Sequence, residues 1–165
     1  MRCKAATEPQ RRGGTPPLSV SLCALWLMSL CVLLPMFSRT GVALHAQGSR
    51  TVWDGVYTEA QATRGAELFD RECAQCHGPS GAGGSMAPAL AGPAFSANYD
   101  AQTVGDLFDR NRTTMPVGKE GQLSAQQTVD ITAFMLQVNT FPAGTTELPP
   151  QGMALKQIKY IAERP

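Results

Sequence analysis

The stretch RECAQCHGPSG, residues 71–81, most constrains the fold of this chain, because it places two cysteines and a histidine within five positions. Cys73, Cys76 and His77 stand at positions i, i+3 and i+4 near the end of an amphipathic helical pattern. Side chains at these spacings emerge on one side of a helix. The fold must therefore leave space on that side for whatever the three side chains bind.

The spacing of these side chains suits a haem. The two cysteines would form thioether bonds to the haem vinyl groups, and the adjacent imidazole of His77 would reach the iron from the same direction. Other interpretations fit less well. A disulfide between Cys73 and Cys76 leaves His77 without a role, a thioredoxin-like redox site needs a βαβ setting, and structural zinc needs four ligands. The motif therefore predicts one covalently bound haem c.

Residues 1–46 have the layout of an export signal. Basic residues precede an almost wholly apolar run over residues 18–37, and small residues near position 46 offer cleavage sites. We expect a signal peptide that is removed on export, and hence a periplasmic protein. The alternative is an uncleaved anchor, because the apolar run approaches the roughly 20 residues that span a bilayer. Only in that case would the protein contact a membrane.

Removal of residues 1–46 changes the composition that matters. Of the five cysteines in the chain, only Cys73 and Cys76 remain. Nine lysines and arginines then stand against twelve aspartates and glutamates, a net charge of −3 where the whole chain has +1. An acidic body without a run rich in Lys and Arg excludes a basic surface for nucleic acid.

Three helices are predicted after a short N-terminal extension, residues 47–57. Each begins at a capping box, in which a hydroxyl and a side chain three residues later satisfy free backbone donors. The paired residues are Thr58 with Gln61, Thr103 with Asp106, and Ser124 with Gln127. Apolar residues recur at helical spacing after each cap, and the second helix is expected to end near Asn111. Since no strand pattern of any strength is present, the sequence predicts an all-α fold of three to four helices.

Long loops are predicted between these helices. Residues 78–95 and 112–121 contain repeated Gly and Pro residues, which are typical of loops. A loop of this length in a small domain usually wraps a ligand. Residues 58–141 are thus expected to form one mono-haem domain, with the helices and loops wrapped around the haem.

The Pro-rich C-terminal tail, residues 142–165, has its own apolar pattern. Leu155, Ile158 and Ile161 recur at three-residue spacing. This spacing indicates a short helix or strand that docks on the domain, and a loosely ordered terminus is the alternative.

The ligand at the sixth position of the iron decides between electron carriage and chemistry on a bound small molecule. Four methionines follow residue 46, namely Met86, Met115, Met135 and Met153. Core packing is the expected role of Met135, which lies in the apolar face of the third helix. Met153 lies in the tail, and Met86 lies in the loop expected to cover the proximal side of the haem. The placement of Met115 in a loop after an intervening helix, just before Pro116, favours it as the ligand.

With these residues in place, the sequence resembles a class I cytochrome c over residues 58–139. Four segments occur in the same order as in that family. Together they are more specific than the cysteine motif, which many c-type haem proteins share. In that family a glycine and an aromatic residue on the first helix cross an aliphatic and an aromatic residue on the last. The segment RGAELFDREC supplies Gly65 and Phe69, and DITAFML supplies Ile131 and Phe134.

The resemblance also implies roles at the haem. Pro88, in APALAG, corresponds to the loop proline whose backbone carbonyl accepts a hydrogen bond from the proximal histidine. Such a bond would fix the tautomer of His77 and raise its basicity as a ligand. Leu90 would pack on the haem face. The segment TTMPVG resembles the distal methionine loop, so His77 and Met115 are the implied axial ligands of the iron.

An electron carrier, and not an enzyme, is the function that the resemblance implies. The segments outside the minimal fold are similar to those of bacterial mono-haem cytochromes that accompany periplasmic quinoprotein dehydrogenases. The expected partners are redox proteins, such as a dehydrogenase and a terminal oxidase. The alternative is a haem enzyme or gas sensor with an open sixth position, although no histidine besides His77 follows residue 46 to assist peroxide cleavage. A haem-free, disulfide-bonded adaptor is a third hypothesis.

Overall fold

Residues 50–165 are described by the computed structural model, and the predicted signal peptide, residues 1–46, lies outside them. The described residues form six α-helices and two very short strands. In chain order these are β1 (Arg50–Thr51), α1 (Glu59–Glu72), α2 (Ala74–His77), α3 (Pro93–Tyr99), α4 (Val104–Thr114), α5 (Ala125–Val138), α6 (Gly152–Leu155) and β2 (Ile158–Lys159), with a 3₁₀ turn at Pro79–Gly81. The all-α fold predicted from the sequence is confirmed. No helix in this part of the chain is long and apolar enough to cross a membrane.

Helices α1 and α5 cross with their backbones in contact at Gly65. A Cβ atom added to Gly65 would overlap the backbone carbonyl oxygen of Asp130 and lie 2.9 Å from the Cβ atom of Phe134. Phe69 and Phe134 pack across the same interface, with ring centroids 5.1 Å apart. Ile131, on the same helix as Phe134, is also buried. The residues assigned to the crossing by the resemblance therefore lie in the core, and only a glycine permits this approach.

The three long helices begin at the predicted caps. The hydroxyl of Thr58 accepts a hydrogen bond from the backbone N–H of Gln61 at the start of α1. Complete capping boxes open the other two helices, formed by Thr103 with Asp106 and by Ser124 with Gln127. The second hydrogen bond of the capping box predicted at α1, from the Thr58 backbone N–H to the Gln61 side chain, is wrong. The fully buried Gln61 amide pairs instead with the backbone N–H and carbonyl of Leu148 at 2.8 and 3.0 Å.

Two of the predicted loops are shorter than expected. The C-terminal end of the segment 78–95 forms the first turn of α3, which begins at Pro93 and buries Phe95. Proline is well suited to the first turn of a helix, since its missing N–H would have no partner there. Helix α4 does not end near Asn111 but continues to Thr114, because the first helix breaker after it is Pro116. Met115 therefore follows the helix directly.

The C-terminal tail packs on the helices. Leu148, Leu155, Ile158 and Tyr160 are all buried. Strand β2 pairs in parallel with β1, and the indole N–H of Trp53 donates to the carbonyl of Ile161 at 2.9 Å. The extension before α1 and the tail after α5 thus hold each other against the helical core.

Because α1 and α5 approach closely at Gly65, the addition of one methyl group at this position should lower stability strongly. We expect Gly65→Ala to lower the free energy of unfolding by about 1–3 kcal/mol or more, because the new Cβ meets a backbone carbonyl that cannot rotate away. Gly152→Ala is the matched control, since its Cβ would come no closer than 3.4 Å to the Asp109 carboxylate. Urea unfolding measures both, and equal stability of the two variants would contradict the crossing.

The packing of the tail predicts that Leu155 contributes to the core. We expect Leu155→Ala to cost about 2–5 kcal/mol of unfolding free energy, the usual range for a fully buried leucine. Met153, two residues earlier and 75% exposed, supplies the control. Met153→Ala should change stability by no more than about 0.5 kcal/mol. A tail that does not dock would leave both variants as stable as the parent protein in thermal or urea unfolding.

Candidate functional site

A cavity of about 970 Å³ opens beside the end of α1. Its walls come from α1, α2, the following loop, α3, α4 and α5, and its volume is at the upper end of the roughly 300–1,000 Å³ typical of ligand pockets. The structure brings all six site residues predicted from the sequence to this cavity. They are Cys73, Cys76, His77, Pro88, Leu90 and Met115.

The two cysteines stand where α1 gives way to the single turn of α2. Cys73 is the C-cap of α1, and its backbone N–H donates to the carbonyl of Phe69 at 2.8 Å. Both cysteines are half-buried free thiols. Burial, followed by the charges of Glu72 and Cys76, raises the pKa of Cys73 to about 11. A Cys73 thiol with such a pKa is neutral near pH 7.

The interpretation of the motif as structural zinc finds no support in the geometry. Within residues 50–165, no group of three or more His, Cys, Asp or Glu side chains is arranged to hold a metal ion. A structural zinc site needs four such ligands.

The imidazole of His77 is fixed by one hydrogen bond. His77 is 8% exposed, and its Nδ1 atom lies 2.8 Å from the carbonyl oxygen of Pro88. A carbonyl can only accept, so Nδ1 carries a proton, which leaves Nε2 as the ring nitrogen that could bind a metal. The hydrogen bond implied by the resemblance is therefore present in the structure, and it gives Nε2 the form of a metal ligand.

Residues 78–92, which we call the proximal loop, turn back sharply to bring Pro88 to His77. The N–H of Gly83 donates to the carbonyl of His77 at 2.6 Å. Gly83 has a φ of +82°, and a Cβ atom there would lie 2.6 Å from the backbone nitrogen of Ala89. The turn therefore requires glycine at this position, because an L side chain would both strain the backbone and clash.

The four methionines differ in their relation to the cavity. Met115 is the C-cap of α4, is half-buried and lines the cavity. Met86 also lines it but is 67% exposed. Met135 is buried as expected, yet it too faces the cavity, and its sulfur accepts a hydrogen bond from the Asn111 amide at 3.2 Å. Met153 is exposed and is not part of the cavity wall. Three of these four methionines, Met86, Met115 and Met135, thus line the cavity.

The remaining wall of the cavity has two chemical characters. Its apolar part includes Phe69, Leu90, Phe95, Leu123, Ile131 and Met135. Its polar part includes Asn98, Tyr99, Gln102, Asp106, Arg110 and Asn111 on α3, α4 and the turn between them, and Arg71, Glu72, Gln75 and Lys119 elsewhere on the wall. A cavity that combines an apolar lining with polar and charged groups fits a macrocycle with an apolar body and two carboxylates, so the lining fits a haem.

Two charged side chains on α4, Asp106 and Arg110, line the cavity beside Tyr99. Hydrogen bonds from Thr103 hold the pKa of Asp106 below its usual value, so this carboxylate stays charged. Burial raises the pKa of Tyr99, and the nearby positive charge of Arg110 opposes that rise. This part of the wall therefore presents a cation, an anion and a neutral hydroxyl.

Several lining residues could not be identified from the sequence. Phe95 was assigned to a loop, although a proline two residues earlier is a known signal of a helix start. Asn111 and Met135 lie inside helical patterns, where spacing does not distinguish a cavity wall from the core. Only the packing of α4 beside α5 places these two side chains together on the cavity.

Comparisons with known proteins find cytochrome sequences that are similar to this chain. Residues 60–135 match the family described as "Cytochrome C oxidase, cbb3-type, subunit III". The chain is 31% identical over 111 residues to a cytochrome bc1 complex cytochrome c subunit of Corynebacterium efficiens, covering 67% of this chain and 35% of that one. For the equivalent subunit of Corynebacterium diphtheriae the identity is 30% over 109 residues, covering 66% and 38%. The chain thus spans little more than a third of the length of these curated relatives.

A solved structure is also similar. It is the crystal structure of the sulfane dehydrogenase SoxCD from Paracoccus pantotrophus, at 24% identity and a TM-score of 0.44, covering 66% of this chain and 61% of that chain. The family match, by contrast, runs from the start of α1 into α5 and so contains all six predicted site residues.

Proposed function

Because residues 60–135 are a c-type cytochrome domain, which carries covalently bound haem c, we propose that this protein is a one-electron carrier and not an enzyme. Bound haem supplies an iron centre that gains or loses a single electron. The observation that carries the proposal is the meeting of Cys73, Cys76, His77 and Met115 on the wall of one cavity. No acid or base of the chain needs to act on a substrate in such a role.

In this proposal each residue has one task. Cys73 and Cys76 hold the haem through thioether bonds, which prevents its loss after export. His77 would ligate the iron through Nε2, since Nδ1 is engaged by Pro88. The sulfur of Met115 would be the second protein ligand of the iron. A thioether favours reduced iron more than a second imidazole would, which raises the reduction potential.

Met115 is preferred over the other methionines for reasons of position. It sits where α4 ends, and Pro116 restricts the backbone just beyond it. The sulfur of Met135 already accepts a hydrogen bond from Asn111 within the buried face of α5. Met86 lies within the proximal loop itself, the loop that also provides the hydrogen-bond acceptor for His77. These contacts support His77 and Met115 as the axial pair.

We further propose that redox partner proteins dock at the mouth of the cavity. Met86 and Val117 line it and are 67% and 79% exposed. Small apolar contacts of this kind suit a weak and transient complex, in which charge mainly affects the rate of association. The candidate partners are a periplasmic dehydrogenase as donor and a terminal oxidase as acceptor. The names of the curated relatives, subunits of cytochrome bc1 complexes, support a respiratory setting.

The optical spectrum tests the proposal directly. We expect residues 47–165, expressed with haem-attachment machinery, to retain haem on a denaturing gel and to give a low-spin c-type spectrum. The ferric protein should show a methionine-to-iron band, and carbon monoxide should leave the spectrum of the reduced protein unchanged. A high-spin or carbon-monoxide-sensitive spectrum would instead support the enzyme or gas-sensor alternative, and a colourless product would support the haem-free adaptor.

Removal of the sixth ligand gives a second prediction. In Met115→Ala the methionine-to-iron band should disappear, the reduced protein should bind carbon monoxide, and the reduction potential should fall. Met86→Ala is the control, because this exposed side chain lines the same cavity from the proximal loop. Loss of the band in Met86→Ala, or its persistence in Met115→Ala, would show that the axial ligand is assigned to the wrong residue.

A further inference from the structure

The proximal loop is held in place by one buried side chain beyond the haem-binding residues. Asn139, at the C-terminal end of α5, is 8% exposed. Its amide nitrogen donates to the carbonyls of Leu90 and Met135 at 2.9 and 2.8 Å. Its amide oxygen accepts from the N–H of Gly92 at 3.0 Å and from the hydroxyl of Ser96 at 3.2 Å. All four hydrogen-bonding positions of this amide are therefore used.

The partners of Asn139 determine which way the amide points. Two carbonyl oxygens can only accept, so they must face the amide nitrogen, and the Gly92 N–H can only donate, so it must face the oxygen. Two of the four partners, Leu90 and Gly92, belong to the proximal loop and follow Pro88 by two and four residues. Asn139 thus ties the loop to α5 just after the residue that accepts from His77.

The C-terminal tail reaches the same amide through one hydroxyl. Tyr160 is fully buried, and its hydroxyl lies 3.1 Å from the hydroxyl of Ser96. Ser96 has a single proton and gives it to Asn139, whose amide oxygen has none to give. The hydroxyl of Tyr160 must therefore donate to Ser96. A directed chain of hydrogen bonds runs from the tail through α3 to the proximal loop.

We propose that Asn139, locked by Ser96 and Tyr160, is a positioning residue that keeps the Pro88 carbonyl on His77 and so lets the C-terminal tail set the reduction potential. The inference rests on the proposed function as a haem c electron carrier. A hydrogen bond at Nδ1 makes the imidazole a more basic ligand, and a more basic ligand stabilises ferric iron. Loosening the loop should weaken that bond and raise the potential.

The test is a redox titration of the haem-loaded protein and its variants. We expect Asn139→Ala to lower the ratio of oxidised to reduced protein at a fixed potential by up to about tenfold, since losing a direct partner of a metal ligand changes metal affinity or activity by about 10–100-fold and Asn139 acts through such a partner. A tenfold change corresponds to a rise of about 59 mV for a one-electron couple. Ser96→Ala and Tyr160→Phe should raise the potential by successively smaller amounts, and either serves if Asn139→Ala fails to fold.

Tyr57→Phe is the matched control. The hydroxyl of Tyr57 is also buried and donates at 2.6 Å to the carbonyl of Phe141, which lies outside the proximal loop. Loss of this hydroxyl should reduce stability in the same way as Tyr160→Phe and leave the potential unchanged. A general effect of lost stability would move the potential in both tyrosine variants.

The Nδ1 proton of His77 gives a direct measurement of the hydrogen bond to Pro88. Exchange of the Nδ1 proton of His77 with solvent, followed by NMR, should be faster in Asn139→Ala and Ser96→Ala and unchanged in Tyr57→Phe. Because Ser96 connects the other two residues, adding Tyr160→Phe to Ser96→Ala should shift the potential no further.

The outcomes separate this inference from the proposed function. If the parent protein shows the His77/Met115 spectrum and Asn139→Ala leaves the potential unchanged or lowers it, the inference is wrong and the electron carrier stands. An equal shift in Tyr57→Phe and Tyr160→Phe would also overturn it. If the parent protein holds no haem, the proposed function itself fails, and the redox titration has nothing to measure.

Discussion

The close contact of α1 and α5 at Gly65 is the constraint on which the rest of the structure depends. Helix α1 ends at the cysteine motif, and α5 supplies part of the wall of the cavity, so the distance between their backbones affects where the side chains proposed to bind haem stand. A side chain at Gly65 would move the two helices apart and, with them, the cavity walls. The aromatic pair Phe69 and Phe134 fills the space beside the crossing and keeps the helices from sliding.

Buried polar side chains attach the outer segments to this crossed pair. Gln61 on α1 takes both backbone groups of Leu148, Tyr57 holds the carbonyl of Phe141, and Asn139 joins α5 to the proximal loop. In residues 50–165 no buried side-chain nitrogen or oxygen lacks a hydrogen-bond partner. Since leaving one such group unpaired costs about 1–3 kcal/mol, each of these contacts favours one position of its segment over all others.

The candidate site is held by contacts from the chain around it. His77, Pro88 and the glycines of the proximal loop are fixed by short backbone contacts, and Met115 is placed by the end of a helix. The proposed role as an electron carrier would benefit from such fixed positions, because both redox states would then keep the same ligands. Binding geometry that is preorganised by surrounding residues also leaves the potential under the control of the protein.

The sequence by itself determined the features that depend only on residues close together along the chain. The cysteine motif and the helix starts at Thr58, Thr103 and Ser124 each depend on residues a few positions apart, and the three helix starts were predictable. Tertiary structure alone decided the rest: Gln61 pairs with a residue 87 positions away instead of completing its cap, and Asn139 reaches the proximal loop 49 positions before it. A local pattern gives the residues that can form a hydrogen bond with their neighbours. The distant partner of a buried side chain is determined only by the tertiary packing of α1, α5 and the tail.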